Sequence, residues 1–140
     1  MGRAMTDADE IVLLRHIPGG VSFQGKPPPR ITSENFQLRA NKLEAGVSAS
    51  KTSSARLHQH ARWLLELRRT SDDSRIAWAN ANAVEAAGFA ILDCPTNDDP
   101  AHCIIKSQAT CLGDHSGRKK LASAFAWVEF PDNAGGLSET

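Results

Sequence analysis

The stretch EIVLLRHI, Glu10 to Ile17, decides how the rest of the chain must be read. In an extended backbone, Ile11 and Leu13 point to one side and Val12 and Leu14 to the other. Both sides are therefore apolar, which suits a central strand covered on both faces better than an edge strand. Pro18-Gly19-Gly20 end the run with a turn. Arg15 interrupts the apolar letters. A long cation there must reach the strand end, pair with a carboxylate such as Asp98 or Asp99, or face a pocket.

Around this strand the chain divides into a polar lead-in (1–9), one domain (10–130) and a tail (131–140) expected to be flexible, since it has two glycines and no apolar period. Gly25 to Arg30 (GKPPPR) reads as a stiff extended loop, because three consecutive prolines fix φ and donate no ladder bond. Thr32-Ser33-Glu34 before Asn35-Phe36-Gln37-Leu38 reads as one capped helical turn. Val47 to Ser50 reads as a short strand. The best helix is Ser54 to Arg69, with Leu57, Ala61, Leu64 and Leu65 on one arc and His58, Arg62, Glu66 and Arg69 on another. Ser53 or Ser54 is placed to cap it.

Next come a strand at Arg75–Ala79, a helix at Asn82–Ala87 stopped by Gly88, and strands at Phe89–Asp93 and Ala101–Lys106. A closing helix is expected over Ser116–Val128, its inner face formed by Leu121, Ala124, Phe125 and Val128. Together these elements predict an α+β domain: a small mixed β-sheet with two main helices packed on it.

Composition narrows the function. The chain has 140 residues, 41% hydrophobic and 23% charged, which places it with single globular domains and outside the disordered class. No apolar run approaches the roughly 18 residues of a membrane helix. Lys plus Arg and Asp plus Glu are 16 each, so no net charge points to nucleic acid or acidic lipid. MGRAMTDADE lacks the apolar core of a secretory signal. Met1-Gly2 with Thr6 fits the letters of a myristoylation site, but no basic cluster follows to supply a second anchor. Three cysteines, an odd number, suit reduced thiols in a cytoplasm.

Four groups of residues could carry chemistry. Cys94, His102, Cys103, Cys111 and His115 fall within 22 residues and include zinc's preferred donors. They form no C-x-x-C or H-x-x-x-H knuckle, and adjacent His102 and Cys103 point apart in a strand, so no metal or other cofactor is expected. Cys111 with His115 behind it has the elements of a thiol nucleophile without a matching signature. Arg15, His16 and His102 are the candidate catalytic residues, since arginine and histidine serve phosphodiester chemistry as charge stabiliser and proton carrier.

The fourth group is basic. From Lys51 to Arg69 there are five basic residues against one acidic; from Thr70 to Pro100 there is Arg75 against six carboxylates. Arg62 and Arg69 on the long helix, with Arg118, Lys119 and Lys120 at the start of the closing helix, could meet phosphates or a partner. Cations at a helix start oppose its dipole, a cost that a bound anion would relieve. Trp127, off the inner stripe and on the side of Lys119 and Lys120, is the candidate anchor for a partner protein; the alternative is that the tail after Pro131 folds over and covers it.

Leu13-Leu14-Arg15-His16-Ile17-Pro18 and Asp99-Pro100-Ala101-His102, with Gly88-Phe89-Ala90-Ile91 and the basic closing segment, resemble a group of small bacterial proteins. Those proteins share an L-x-R-x-I-P start and a P-A-H segment and are often encoded near mobile or defence-related genes. The resemblance implies a bacterial, cytoplasmic setting and no particular activity; Cys103 after the histidine departs from the group. The leading expectation is a non-enzymatic accessory or protein-interaction domain without cofactor or membrane contact. The alternatives are a small RNA-cleaving toxin using Arg15, His16 and His102, and a nucleic-acid binder using the basic helix segments.

Overall fold

In the computed structural model, the described residues are 10–17, 31, 32, 36, 46–68 and 74–130. Six strands form one sheet in the order β4-β5-β2-β1-β3-β6. They are β1 (Ile11–Ile17), β2 (Gly46–Ser53), β3 (Arg75–Asn80), β4 (Phe89–Asp93), β5 (His102–Ser107) and β6 (Ala126–Trp127). Three helices accompany them: α1 (Leu57–Arg68), α2 (Ala81–Ala86) and α3 (His115–Ala122). The fold is α+β. Every strand pairing is antiparallel, in place of the mixed sheet expected from the sequence.

β1 lies inside the sheet, between β2 and β3. Its two apolar faces feed two separate cores. Val12 and Leu14 join Leu57, Ala61 and Leu64 of α1, with Ile76 and Val128. Leu13 and Ile17 join Ala81 and Val84 of α2, Leu121 and Ala122 of α3, Phe36, Phe89 and Cys103. Helices thus cover opposite faces: α1 on one, α2 and α3 on the other.

Local chemistry fixes the joints. A 3-10 turn at Ser54–Arg56 turns β2 into α1, with Ser53 in the cap position but making no side-chain cap bond. Asn80 ends β3 and starts α2; its amide donates to Glu10 (2.8 Å) and its carbonyl oxygen accepts from the Asn82 N–H (2.9 Å). Gly88 ends α2 at φ +104°, the conformation for which glycine is preferred, and Thr110 packs against it where a Cβ would go. Gly117 faces the Cys111 carbonyl so closely that no side chain fits, which seats α3 on the preceding loop.

The main departure lies at the C-terminal end. The expected helix over Ser116–Val128 ends at Ala122, and residues 126–127 form β6 beside β3. Leu121, Phe125 and Val128 are buried as their apolar character requires. They are divided between a helix and an extended segment, and Val128 reaches the α1 core through a bond to the Ile76 carbonyl (2.9 Å). Trp127 is therefore not on an outer helix face. It pairs with Ala77, packs against the inner core, and has the Arg75 guanidinium 5.7 Å from its ring centre.

The expected helical turn at Thr32–Leu38 survives only at Phe36, a buried 3-10 residue, among the described positions. The proline loop, Arg69, the lead-in and the tail lie outside the described residues. No described helix is long and apolar enough to cross a membrane. Because Trp127 is half-buried against the core, Trp127→Ala should lower folding stability by about 1–3 kcal/mol. Urea unfolding monitored by circular dichroism measures this; an unchanged midpoint would place Trp127 outside the core.

Candidate functional site

Strand parity separates the candidate residues. Arg15 shares the face of Leu13 and Ile17, whereas His16 shares that of Leu14, under α1. Ser50 pairs with both Leu14 and His102, so His102 also lies on the α1 face. Arg15 donates to the Ser48 carbonyl (2.9 Å) and sits 5.4 Å from the Phe36 ring centre. His16 and His102 lie on β1 and β5 with β2 between them. The three catalytic candidates are not brought to one point: Arg15 faces away from both histidines.

The α1 face instead holds a cluster that sequence reading missed. His60 Nε2 lies 2.8 Å from Ser50 Oγ, joining α1 to β2. His102 uses Nδ1 to contact the Cys94 carbonyl at 2.7 Å; a carbonyl only accepts, so this nitrogen carries the proton. Between β4 and β5, Asp99 is 1% exposed. Its Oδ1 accepts from the Ala101 N–H (2.9 Å), while buried Oδ2 has no hydrogen-bond partner among the described residues. Burial lowers the pKa of His60 below the ordinary 6.5; Asp99 opposes this and Arg56 adds to it. Burial, Arg15 and Arg68 in turn lower that of His16.

Serine, histidine and aspartate in one cluster have the residue types of a nucleophile relay. Access decides against that use, because Ser50 is only 1% exposed and lies beneath α1. The Ser50–His60 bond fastens helix to sheet. A signal for His60 was present: it stands three residues after Leu57 and four before Leu64, beside the apolar stripe. Nothing in the sequence marked Asp99 as buried.

Cys94, the residue after β4, and Cys103 of β5 lie at neighbouring positions, whereas Cys111 stands apart in the loop before α3. All three are free: Cys103 buried, Cys94 half-buried and Cys111 exposed. No group of three or more His, Cys, Asp or Glu among the described residues is arranged to hold a metal ion. Burial pushes the Cys103 thiol up to about 12.

The basic segments are dispersed. His58 donates to the Glu129 carbonyl (3.1 Å), and the Arg62 guanidinium lies 4.7 Å from the Phe130 ring centre. Arg68, instead of Arg15, meets the acidic loop, at 3.4 Å from Asp98. Arg118 turns back to the Leu112 carbonyl (2.9 Å). Lys119 and Lys120 are exposed, but α3 begins at His115, so they stand in its last turn, where the dipole favours cations. This reverses the expected unfavourable placement. Since α1 and α3 cover opposite faces, their basic residues do not form one surface.

What the α1 face does expose is apolar. Ser48 pairs with Ile104, and Ile104 with Leu92, so these side chains share the face that carries α1. α1 packs over β1, β2 and β3, and no described helix covers the β5–β4 part of this face. Leu92 is 48% exposed there, and Trp63 and Leu67 on α1 are 39% and 37% exposed. On the helix, Trp63 and Leu67 fall on the flank of His60, the side turned toward β2 and β5. Trp63 also lines a cavity of about 440 Å³ with Arg62, Leu65, Glu66 and Phe130 over the outer side of α1.

Two measurements check this chemistry. In the folded chain His16 and His60 both bind protons less readily than in the unfolded one. Stability should therefore be full above pH about 6.5 and fall as acid protonates the unfolded state first. Thermal midpoints at pH about 7.5 and 5.5 should show this fall, and His60→Gln should flatten it; equal slopes in mutant and wild type would refute the assignment. A thiol reagent should modify Cys111 readily and Cys103 only on unfolding, with mass spectrometry locating the label. Rapid labelling of Cys103 in the folded protein would contradict its burial. Compared with known proteins, the chain matches no family model, no curated protein and no solved structure.

Proposed function

We propose that this chain is a non-enzymatic protein-interaction domain of a bacterial, defence-related system, working in the cytoplasm. The observation that carries this reading is an apolar strip in which exposed Leu92 and half-buried Ile104 on the sheet are joined by exposed Trp63 and Leu67 on the flank of α1. Three of the four large hydrophobic side chains described as exposed belong to it. An aromatic residue and aliphatic neighbours gathered on one face are the composition of an interface centre. His60, His102 and Lys106 border the strip and give it a polar margin. The partner it fits is a protein presenting aliphatic side chains with an acidic rim opposite Lys106.

This moves the interaction surface away from Trp127 and the closing helix, where the sequence had placed it. The toxin reading gains nothing from the geometry, since Arg15 and the two histidines lie on different faces. The nucleic-acid reading is weakened by the separation of the basic helices. The bacterial and defence-related setting is supported by the sequence resemblance, and the cytoplasmic one by three cysteines that form no disulfide.

The test uses a photo-crosslinking amino acid at Leu67 in native cells, with Glu85, exposed on α2, as control. One defined protein should be trapped at Leu67 and not at Glu85. Purified, it should bind the wild type and lose at least about tenfold in affinity for Trp63→Asp with the fold intact. Identical crosslinks at both positions would refute the strip. Metal-independent RNA cleavage by the wild type, abolished in His102→Gln, would replace this reading with the enzyme.

A further inference from the structure

We propose that the free edge of β4 pairs with β4 of a second copy, joining two sheets into one across a two-fold axis. Among the described residues, β4 is the last strand on its side of the sheet. Its five residues, Phe89-Ala90-Ile91-Leu92-Asp93, contain no lysine and no proline, two residues with which natural edges block pairing, and their one charge, Asp93, stands at the strand end.

The hydrogen-bond phase of the edge is set by its inner neighbour. Cys94 N–H donates to the His102 carbonyl (2.9 Å), and Thr110 N–H to that of Gly88 (2.9 Å). Antiparallel ladders alternate, so Ala90 and Leu92 turn their backbone groups toward β5, and Phe89, Ile91 and Asp93 turn theirs outward. Outward residues must face outward residues in a second strand. Antiparallel self-pairing centred on Ile91 satisfies this: Ile91 faces its own copy and Phe89 faces Asp93, giving about six interchain bonds.

Side chains agree with that register. Ala90 comes opposite the partner's Leu92 on the α1 face, a small residue against a large one, and the exposed Leu92 is covered twice over by symmetry. No like charges meet. The strand's one ionised residue, Asp93, faces a phenylalanine and is already in contact with Lys51 of its own chain. With 16 charges of each sign, the two copies feel no net repulsion on approach. A five-residue seam is at the small end of interface sizes, so association is weak and concentration-dependent. The seam is built from the outward backbone groups of β4 and shares only Leu92 with the partner strip, whose Trp63 and Leu67 lie on α1.

Sedimentation velocity of the full chain over a wide concentration range tests it. The wild type should shift from one chain toward two as concentration rises. Ile91→Pro removes an N–H that points away from β5, so the internal ladder keeps its bonds while the seam loses two by symmetry. It should weaken association by at least about tenfold with an unchanged circular dichroism spectrum. Should that variant fail to fold, Leu92→Lys, which places a charge on the exposed seam, should do the same. A wild type that stays a single chain throughout, as for an edge reserved for a foreign strand, would overturn the proposal. So would association unchanged in a folded variant. Trp63→Asp should leave association intact, so loss of either surface is read apart from the other.

Discussion

Three consecutive residues, Val12, Leu13 and Leu14, leave water on both sides of one strand, and the architecture follows from that demand. Each is essentially inaccessible. Burying alternate side chains in opposite directions requires two cores, and two cores require a cover on each face. α1 supplies one cover and α2 with α3 the other. β1 can meet this demand only with strands on both sides, which β2 and β3 provide.

The covers are of unequal reach. α1 lies over β1, β2 and β3, and a single 12-residue helix cannot also shield β5 and β4. On the other face, Phe89, Cys103 and Ile105 of the same two strands are fully buried. Among the described residues, the sheet is closed on one side and open on part of the other. Leu92, Ile104, Trp63 and Leu67 border that opening, and the β4 edge runs along it. The surface features of greatest interest thus trace back to how far one helix extends.

Polar groups within the α1 layer follow the rule that a buried donor or acceptor needs a partner. Ser50 and His60 meet that need together, and His102 meets it at the Cys94 carbonyl. Asp99 does so with one oxygen and leaves the other unbonded among the described residues. Its charge still favours the protonated state of His60 against burial. These side chains have catalytic chemistry, but the bonds they make hold a helix, a loop and a strand in place.

By itself the sequence determined the local states: the two-faced strand at residues 11–17, the amphipathic helix with Leu57, Ala61 and Leu64 inward, and the glycine stop at Gly88. Each depends on periodicity or on a single residue's backbone preference, which neighbours in sequence suffice to reveal. The closing helix failed where tertiary pairing won. Phe125 and Val128 satisfy a helical spacing, yet the open side of β3 offered backbone bonds that a longer helix would have left unmade. Arg15 and His16 were grouped as catalytic candidates although neighbours in a strand point apart, the same parity that separated His102 from Cys103. That His60 meets Ser50, that Asp99 is buried, and that Leu92 lines up with Ile104 were not legible in the sequence. Those contacts depend on strand order and register between segments far apart in the chain, and only the packed sheet fixes these.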